Sequence, residues 1–480
     1  MPRRPFPGQR SAERAARPFY GEGMPVRQGL FTRDRAFYRT FLRLCLTLMV
    51  EQAVILSVNL ADNLMIGSYS ETALSGVAAV NQIQFVLQQV VYAASNGLIV
   101  LGSQYWGQGR REPIRRLCAS GVLLALGLAL AFFAAVSLFP VQTLSLFTKD
   151  AAIVAEGTAY LNIIRFTYPV FAMTTILLGS MRCVETVKIA LRVSCVSLVV
   201  NCGINYVLIG GRFGAPELGA RGAAIGTLTA RVLELVIVLS FVLFRDEKLK
   251  LRLADLFRVS GPLTRDYLRV TGPILVTGAL WGGFNAIQTM VLGHMTSNAI
   301  AAYSISSTIF LLLKVTSVGA ATAAAILIGK DVGTGAMERL KTDTRTLQVI
   351  FLGIGLVLGT ALFLLRLVLL PLYEIGPETR ELANLFLIIQ SVVICTMSYQ
   401  MPVNTGIIRG GGDTKFVMYL DLVSIWGIVL PLSLLAAFVL HWHPAAVVLC
   451  LNADQIFKCV PAAIRVNGYR WVKKLTQEHV

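Results

Sequence analysis

The chain has 480 residues, 55% of them hydrophobic and 14% charged, with a mean hydropathy of +0.67. That is more apolar side chain than a soluble domain of this length buries, and it comes in runs long enough to cross a bilayer, so the class is a polytopic helical membrane protein. The formal net charge of +17 comes from Lys and Arg placed between the runs, where membrane orientation and anionic lipid account for them, and no nucleic-acid partner is expected.

The first 40 residues are rich in Arg, Pro and Gly and contain no apolar run, so a disordered cytoplasmic tail is expected. Glu13, Glu22 and Asp34 speak against an organellar transit sequence. Twelve apolar runs follow, at about 42–67, 77–102, 117–140, 157–180, 189–210, 221–244, 268–293, 299–328, 346–371, 381–403, 416–440 and 444–466. Lys and Arg crowd the tail, every second loop and the end of the chain, whereas the other loops hold only Lys149, Arg212, Arg221, Arg366 and Arg380. Both termini are therefore expected in the cytoplasm. The eight cysteines form no CxxC pair and read as small buried hydrophobes.

In the first run, MVEQAVILSVNLADNLMIG from Met49 to Gly67, Glu51, Gln52, Asn59 and Asp62 interrupt an otherwise apolar helix. A carboxylate near the bilayer centre costs about 2.5–3.5 kcal/mol even on the lenient insertion scale, so Asp62 is expected to face a cavity or a partner. Its plainer role is a packing acid bonded to Asn59 or to backbone. Glu51, about three turns nearer the cytoplasm, reads as an inner counterpart on the same path or as the partner of a tail Arg. Gln52 and Asn81 with Gln82 read as polar cavity lining.

The polar stretch from Arg245 to Arg269 divides the runs into two sets of six. Shifted by 226 positions, Val58 to Gly67 falls on Phe284 to Gly293, with Asn59 on Asn285 and Asp62 on Gln288. Without a gap, Gly107 and Gly109 then fall on Gly333 and Gly335, and Arg182 pairs with Arg409 one position later. The expected fold is all-α, twelve transmembrane helices in two six-helix lobes related by a pseudo-two-fold axis along the membrane normal. The expected organisation is a tail over 1–40, a first lobe over 41–245, a cytoplasmic linker over 246–267, a second lobe over 268–468 and a cytoplasmic tail over 469–480. Parallel repeats of this kind are a transporter architecture with the substrate between the halves. The glycines of the two repeated loops read as loop geometry, since no strand precedes them and no Lys-Ser/Thr follows.

NLADNLMIG, SQYWGQG after the second run and above all VNCGINYVLIGGRFGAPELGARGAAIGTLTAR (Val200 to Arg231) resemble the multidrug and toxic compound extrusion (MATE) family. The resemblance covers roughly residues 40–470 and is closest to a bacterial branch with a Trp in the seventh helix, here Trp281. It implies a multi-pass transporter of the bacterial inner membrane that exports amphipathic, often cationic small molecules in exchange for H⁺ or Na⁺, working as a monomer without other cofactors. It places the cation site on Asp62, Asn201, Asn205 and Thr227, with Na⁺ admissible at Asp62, Asn201 and Asn205. The residue types agree: Asn201 and Asn205 share a helix face, and carboxylate, amide and hydroxyl oxygens are the donors that a small hard cation prefers. The plainer readings are interhelical hydrogen bonds for the two Asn and small-residue packing for Thr227.

The second lobe departs from the family pattern. Gln288 stands opposite Asp62, Gly278 and Ser398 occupy positions where relatives carry acids, and Lys314 lies mid-helix at the repeat position of Gln88. That lobe is expected to lack an acidic ion site. Lys314 is expected to snorkel, to pair with Asp421 or Glu51, or to contact the substrate. Trp281 and Tyr399 offer faces for a flat cargo, which gives a substrate cavity of Glu51, Gln52, Asn59, Gln82, Trp281, Gln288, Lys314 and Tyr399. The alternative within the wider superfamily is a lipid or lipid-linked oligosaccharide flippase. A membrane enzyme is disfavoured, because His294, His441, His443 and His479 lack metal-ligand spacing, and His441 and His443 beside Trp442 suit an interfacial belt.

Overall fold

The computed structural model describes residues 31–476 apart from 149, 294 and 374. Its spans, in chain order, are α1 (Arg35–Gly67), α2 (Glu71–Gly107), α3 (Glu112–Leu138), α4 (Ala151–Ile164 and Thr167–Cys183, bent by 51°), α5 (Lys188–Leu208) and α6 (Ala220–Arg245). The second set is α7 (Gly261–Gly293), α8 (Ser297–Thr334), α9 (Met337–Leu372), α10 (Pro377–Ile408), α11 (Thr414–Val439) and α12 (Pro444–Leu451 and Asp454–Asn467, bent by 41°). Among the described residues there are twelve such helical segments and no strand; eleven of them, each bent pair taken as one, are long and apolar enough to cross a membrane, and α7 is the helix outside that set. Exposed apolar side chains such as Val349, Leu352, Leu356 and Leu367 on α9 recur at helical spacing and form the lipid-facing surface that a bilayer requires.

The repeat is visible in the helix ends. α1 and α7 begin at 35 and 261 and stop at 67 and 293, and α2 and α8 begin at 71 and 297, each pair 226 positions apart. Their caps are repeated too: Ser70 accepts from the Ala73 backbone N–H and Thr296 from that of Ala299, both at 3.3 Å, satisfying donors that a helix start leaves free.

Three expected boundaries move. Residues 35–40, placed in the N-terminal tail, are already the first turns of α1, capped by Asp34; residues 1–30 of that tail lie outside the described residues. Residues 261–267, placed in the linker, open α7. The segment 469–476 is folded onto the protein, with the Trp471 ring fully buried. An indole of that size finds a dry seat against Gly411, where an added Cβ would meet the ring at 2.2 Å.

The lobes meet at the end that carries the basic loops. There α2 from Val91 to Tyr105 and α8 from Ser317 to Val332 are almost wholly buried, whereas Val86 on α2 and Ile300, Leu311 and Leu312 on α8 are exposed. One hydrophobic core runs through both lobes at the shared end, and a second belongs to the far half of the second lobe alone. At the far end the lobes share no core, which leaves room for a cleft between them. The glycines read from sequence as loop geometry divide into two kinds. Gly109 and Gly335 do turn the chain at positive φ, but Gly107 and Gly333 make the close approach between lobes: a Cβ on Gly107 would lie 2.1 Å from the Lys330 carbonyl and one on Gly333 2.0 Å from that of Gln104. Beside them Lys330 Nζ pairs with Glu185 at 2.5 Å across the lobes. The C-terminal segment spans the same seam. Lys473 binds Asp413 of the second lobe at 2.6 Å, while Gln104 of α2 donates to the Lys473 carbonyl at 3.1 Å and accepts from the Leu475 N–H at 2.9 Å.

Candidate functional site

The four residues of the expected cation site converge between α1, α5 and α6. Asn205 Nδ2 donates to Asp62 Oδ1 at 2.5 Å and lies 3.4 Å from Asn201 Oδ1, and Asn201 Nδ2 donates to Thr227 Oγ1 at 3.2 Å. The i, i+4 spacing on α5 turns both amides the same way. The small residues of α6 let that helix close in, since a Cβ at Gly226 would sit 2.1 Å from Asn205 Oδ1. That oxygen is buried facing Gly226 and has no hydrogen-bond partner, while the amide nitrogen faces the carboxylate.

Asp62, Asn201 and Thr227 line a cavity of about 70 Å³ together with Asn59, Asn81, Gln84, Gln88 and Tyr160. A drug-sized ligand needs a pocket of roughly 300 Å³ or more. This one has room for an ion with a few waters. Gln82 is not part of the lining. It is exposed, because the cavity-facing side of α2 is the one that carries Asn81, Gln84 and Gln88 at i, i+3, i+7.

A second cavity of about 40 Å³ adjoins the first and is lined by Glu51, Gln52, Tyr92, Arg182, Arg231 and Glu234, the last two shared by both. Among the described residues, Glu51 meets Arg182 and no tail Arg. It is 2% exposed and pairs with Arg182 of α4 at 2.5 Å, leaving its Oε2 without a partner. Arg231 pairs with Glu234 at 2.8 Å and stands over the Phe171 ring at 5.3 Å. Asp62, Glu51 and Glu234 against Arg182 and Arg231 leave one negative charge, which one monovalent cation balances. The sequence reading passed over Gln84, Gln88, Arg182, Arg231 and Glu234 as site residues. The two charges one turn apart in the apolar run of α6 were the available signal.

In the second lobe, Lys314 meets neither expected carboxylate. Its ammonium stands 5.0 Å from the Trp281 ring centre, while Asp421 is bound by Lys458 at 2.8 Å and Glu51 by Arg182. Gln288 Nε2 donates to the Tyr303 hydroxyl at 3.0 Å. Tyr399 is turned away from this group: its hydroxyl donates to Gln348 of α9 at 3.0 Å, and its ring packs on the shared core. The lobe is not without acids, since Asp421 and Asp454 stand on α11 and α12, but Lys458 bridges both, at 2.8 and 3.0 Å. Thus neither of these two carboxylates is left without a cation as Asp62 is in the first lobe.

The family model MatE matches residues 48–207 and 273–435, one segment in each lobe and about two thirds of the chain. A "Probable multidrug resistance protein NorM" of Thermotoga maritima is 25% identical over 444 residues, 92% of this chain and 95% of its own. An "Uncharacterized transporter YisQ" of Bacillus subtilis is 25% identical over 448 residues, covering 91% and 96%. Among solved structures, the Vibrio cholerae MATE transporter VcmN in its bent form aligns with a TM-score of 0.80 at 17% identity, over 90% of this chain and 97% of that one. The MATE transporter ClbM in complex with Rb⁺ aligns with a TM-score of 0.78 at 18% identity, over 92% and 98%. Twelve helices in two repeated lobes and a family match that runs through both place this chain in the MatE family, as a multi-pass membrane transporter.

Proposed function

We propose that the protein exports amphipathic small molecules from the cytoplasm, cationic ones by likeness to its family, in exchange for H⁺ or Na⁺. The observation that carries this reading is Asp62, a membrane-embedded carboxylate in a cavity of ion size. Cargo occupies the larger cleft between the lobes, and the ion occupies the small cavity in the first lobe. Proton or Na⁺ at Asp62 removes the surplus negative charge and changes how α1 packs on α5 and α6; cargo biases the same lobe motion in the opposite sense. With the basic loops on the cytoplasmic side, the joined end of the lobes is the closed inner gate, and the fold is in an outward-facing state of an alternating-access cycle.

The Asn205 N–H aimed at Asp62 suits a carboxylate that is alternately bare and protonated. Na⁺ binding needs that amide turned over, so that Asn205 presents its oxygen alongside Asn201 and Thr227. The structural neighbour ClbM, described in complex with Rb⁺, supports a monovalent-cation site in this fold. The flippase alternative is not favoured, since the relatives matched over nearly the whole chain are named multidrug resistance proteins.

The test is antiport in proteoliposomes with an imposed pH or Na⁺ gradient. Asp62→Asn is expected to abolish ion flux driven by dye, with dye binding retained. Undiminished flux in that variant removes Asp62 from the coupling mechanism.

A further inference from the structure

The 226-position repeat carries the ion cavity of the first lobe onto a second set of residues. Ile55, Asp62, Val77 and Gln88, all lining the first cavity, have Trp281, Gln288, Tyr303 and Lys314 as their counterparts on α7 and α8. The structure sets these four on facing sides of α7 and α8 as two pairs, two turns apart along α7. Lys314 stands over Trp281 at 5.0 Å and Gln288 bonds Tyr303 at 3.0 Å; all four are half-buried, with Trp281 and Tyr303 resting in part on the second-lobe core. Trp281 also meets Phe85 of α2 at 5.7 Å, which sets this face at the seam of the two lobes, beside the cleft. The charge is inverted between the two copies: the acid Asp62 is replaced by a neutral amide, and the neutral Gln88 by an ammonium.

Among the described residues, Lys314 makes no ion pair. The acid whose field reaches it is Asp454, whose carboxylate is already engaged by Lys458 at 3.0 Å and Gln455 at 2.6 Å. An ammonium held at mid-membrane without a carboxylate in contact is costly unless it faces water or a ligand completes it. An indole face beside it and an amide–hydroxyl pair on the same surface supply what an aromatic acid needs: a counter-charge, a stacking surface and hydrogen bonds.

We propose that Trp281, Gln288, Tyr303 and Lys314 form a site for the carboxylate of an aromatic cargo, so that the preferred export substrates are aromatic zwitterions and not simple cations. The inference rests on the export reading above and deepens it by naming the charged group the cargo must carry. In this arrangement the ion meets the carboxylate of the first lobe and the cargo's carboxylate meets the ammonium of the second.

The experiment uses the full chain in proteoliposomes and two dyes with one ring system, rhodamine B with its free carboxylate and rhodamine B ethyl ester. The wild type is expected to export the acid more efficiently than the ester. Lys314→Gln is expected to lose about tenfold or more in apparent affinity for the acid, the effect of deleting one charge-assisted hydrogen bond, with ester export unchanged; Lys314→Arg retains the preference. Equal handling of acid and ester by the wild type, or an equal loss of both in Lys314→Gln, overturns the site while leaving ester export as proof of the transporter. Gradient-driven export of neither dye overturns both readings. If Lys314→Gln does not insert, quenching of tryptophan fluorescence in the wild type by the two dyes decides: tighter binding of the acid supports the site and equal binding rejects it. Phosphatidylglycerol in the vesicles that inhibits acid export by the wild type and by Lys314→Arg alike, with ester export unaffected, identifies a lipid phosphate as the occupant and overturns the assignment to cargo.

Discussion

Glu51 and Arg182 show how strongly one pair constrains the interior of this protein. Both sit where water is scarce, and the pair is close at 2.5 Å. Removing one member strands the other: Glu51→Ala is expected to destabilise by about 3–5 kcal/mol, whereas a replacement of both by apolar residues of similar volume should recover most of that loss. Thermal unfolding of the purified single and double variants measures it, and a double variant no better than the worse single variant refutes the pairing. Asp62 differs because its contact is a neutral amide, so it keeps a net charge available for exchange. The sequence exposed Asp62 through the cost of a carboxylate in an apolar run, and the paired amides of α5 through their four-residue spacing. It did not disclose that Gln84 and Gln88 face the ion cavity, because the rotation of α2 about its axis depends on what packs against it.

At the scale of elements, α2 and α8 join the two lobes at their shared end. Their approach is set by Gly107 and Gly333, each needed because a backbone carbonyl of the other lobe occupies the place of a Cβ. Gly107→Ala is expected to force the seam apart by about the width of a methyl group, at roughly 1–3 kcal/mol to the outward-facing state. Spin labels on the cytoplasmic ends of α2 and α8 should then report longer distances and a larger inward-open population. An unchanged distance distribution would show that the seam tolerates the methyl. The sequence marked these glycines as repeated, but reading them as loops missed the reason. Only a partner helix reveals that a glycine at a helix end is there for contact and not for turning.

For the whole molecule, the lobes are paired at their shared end through charge and through the returning C-terminal segment. Glu185 on the first lobe holds Lys330 on the second at 2.5 Å. Glu185→Lys is expected to weaken closure and slow export several-fold, and adding Lys330→Glu to restore it. Rates measured in the same proteoliposomes check this, and a double variant as slow as the single one would show that the contact is incidental. The segment that carries Lys473 and Leu475 reads in the sequence as a charged tail, because its partners Asp413 and Gln104 lie far away along the chain.

What the sequence by itself determined is the solvent, the twelve crossings, the repeat and the carboxylate of α1, since hydropathy, periodicity and the cost of a charge in lipid act along the chain. What the tertiary structure decided is which acid meets which base. Arg182 claims Glu51, Lys458 claims Asp421 and Asp454, and Lys314 is left over an indole. Coulomb energy depends on distances of a few ångströms between helices, and those distances exist only once the lobes have packed.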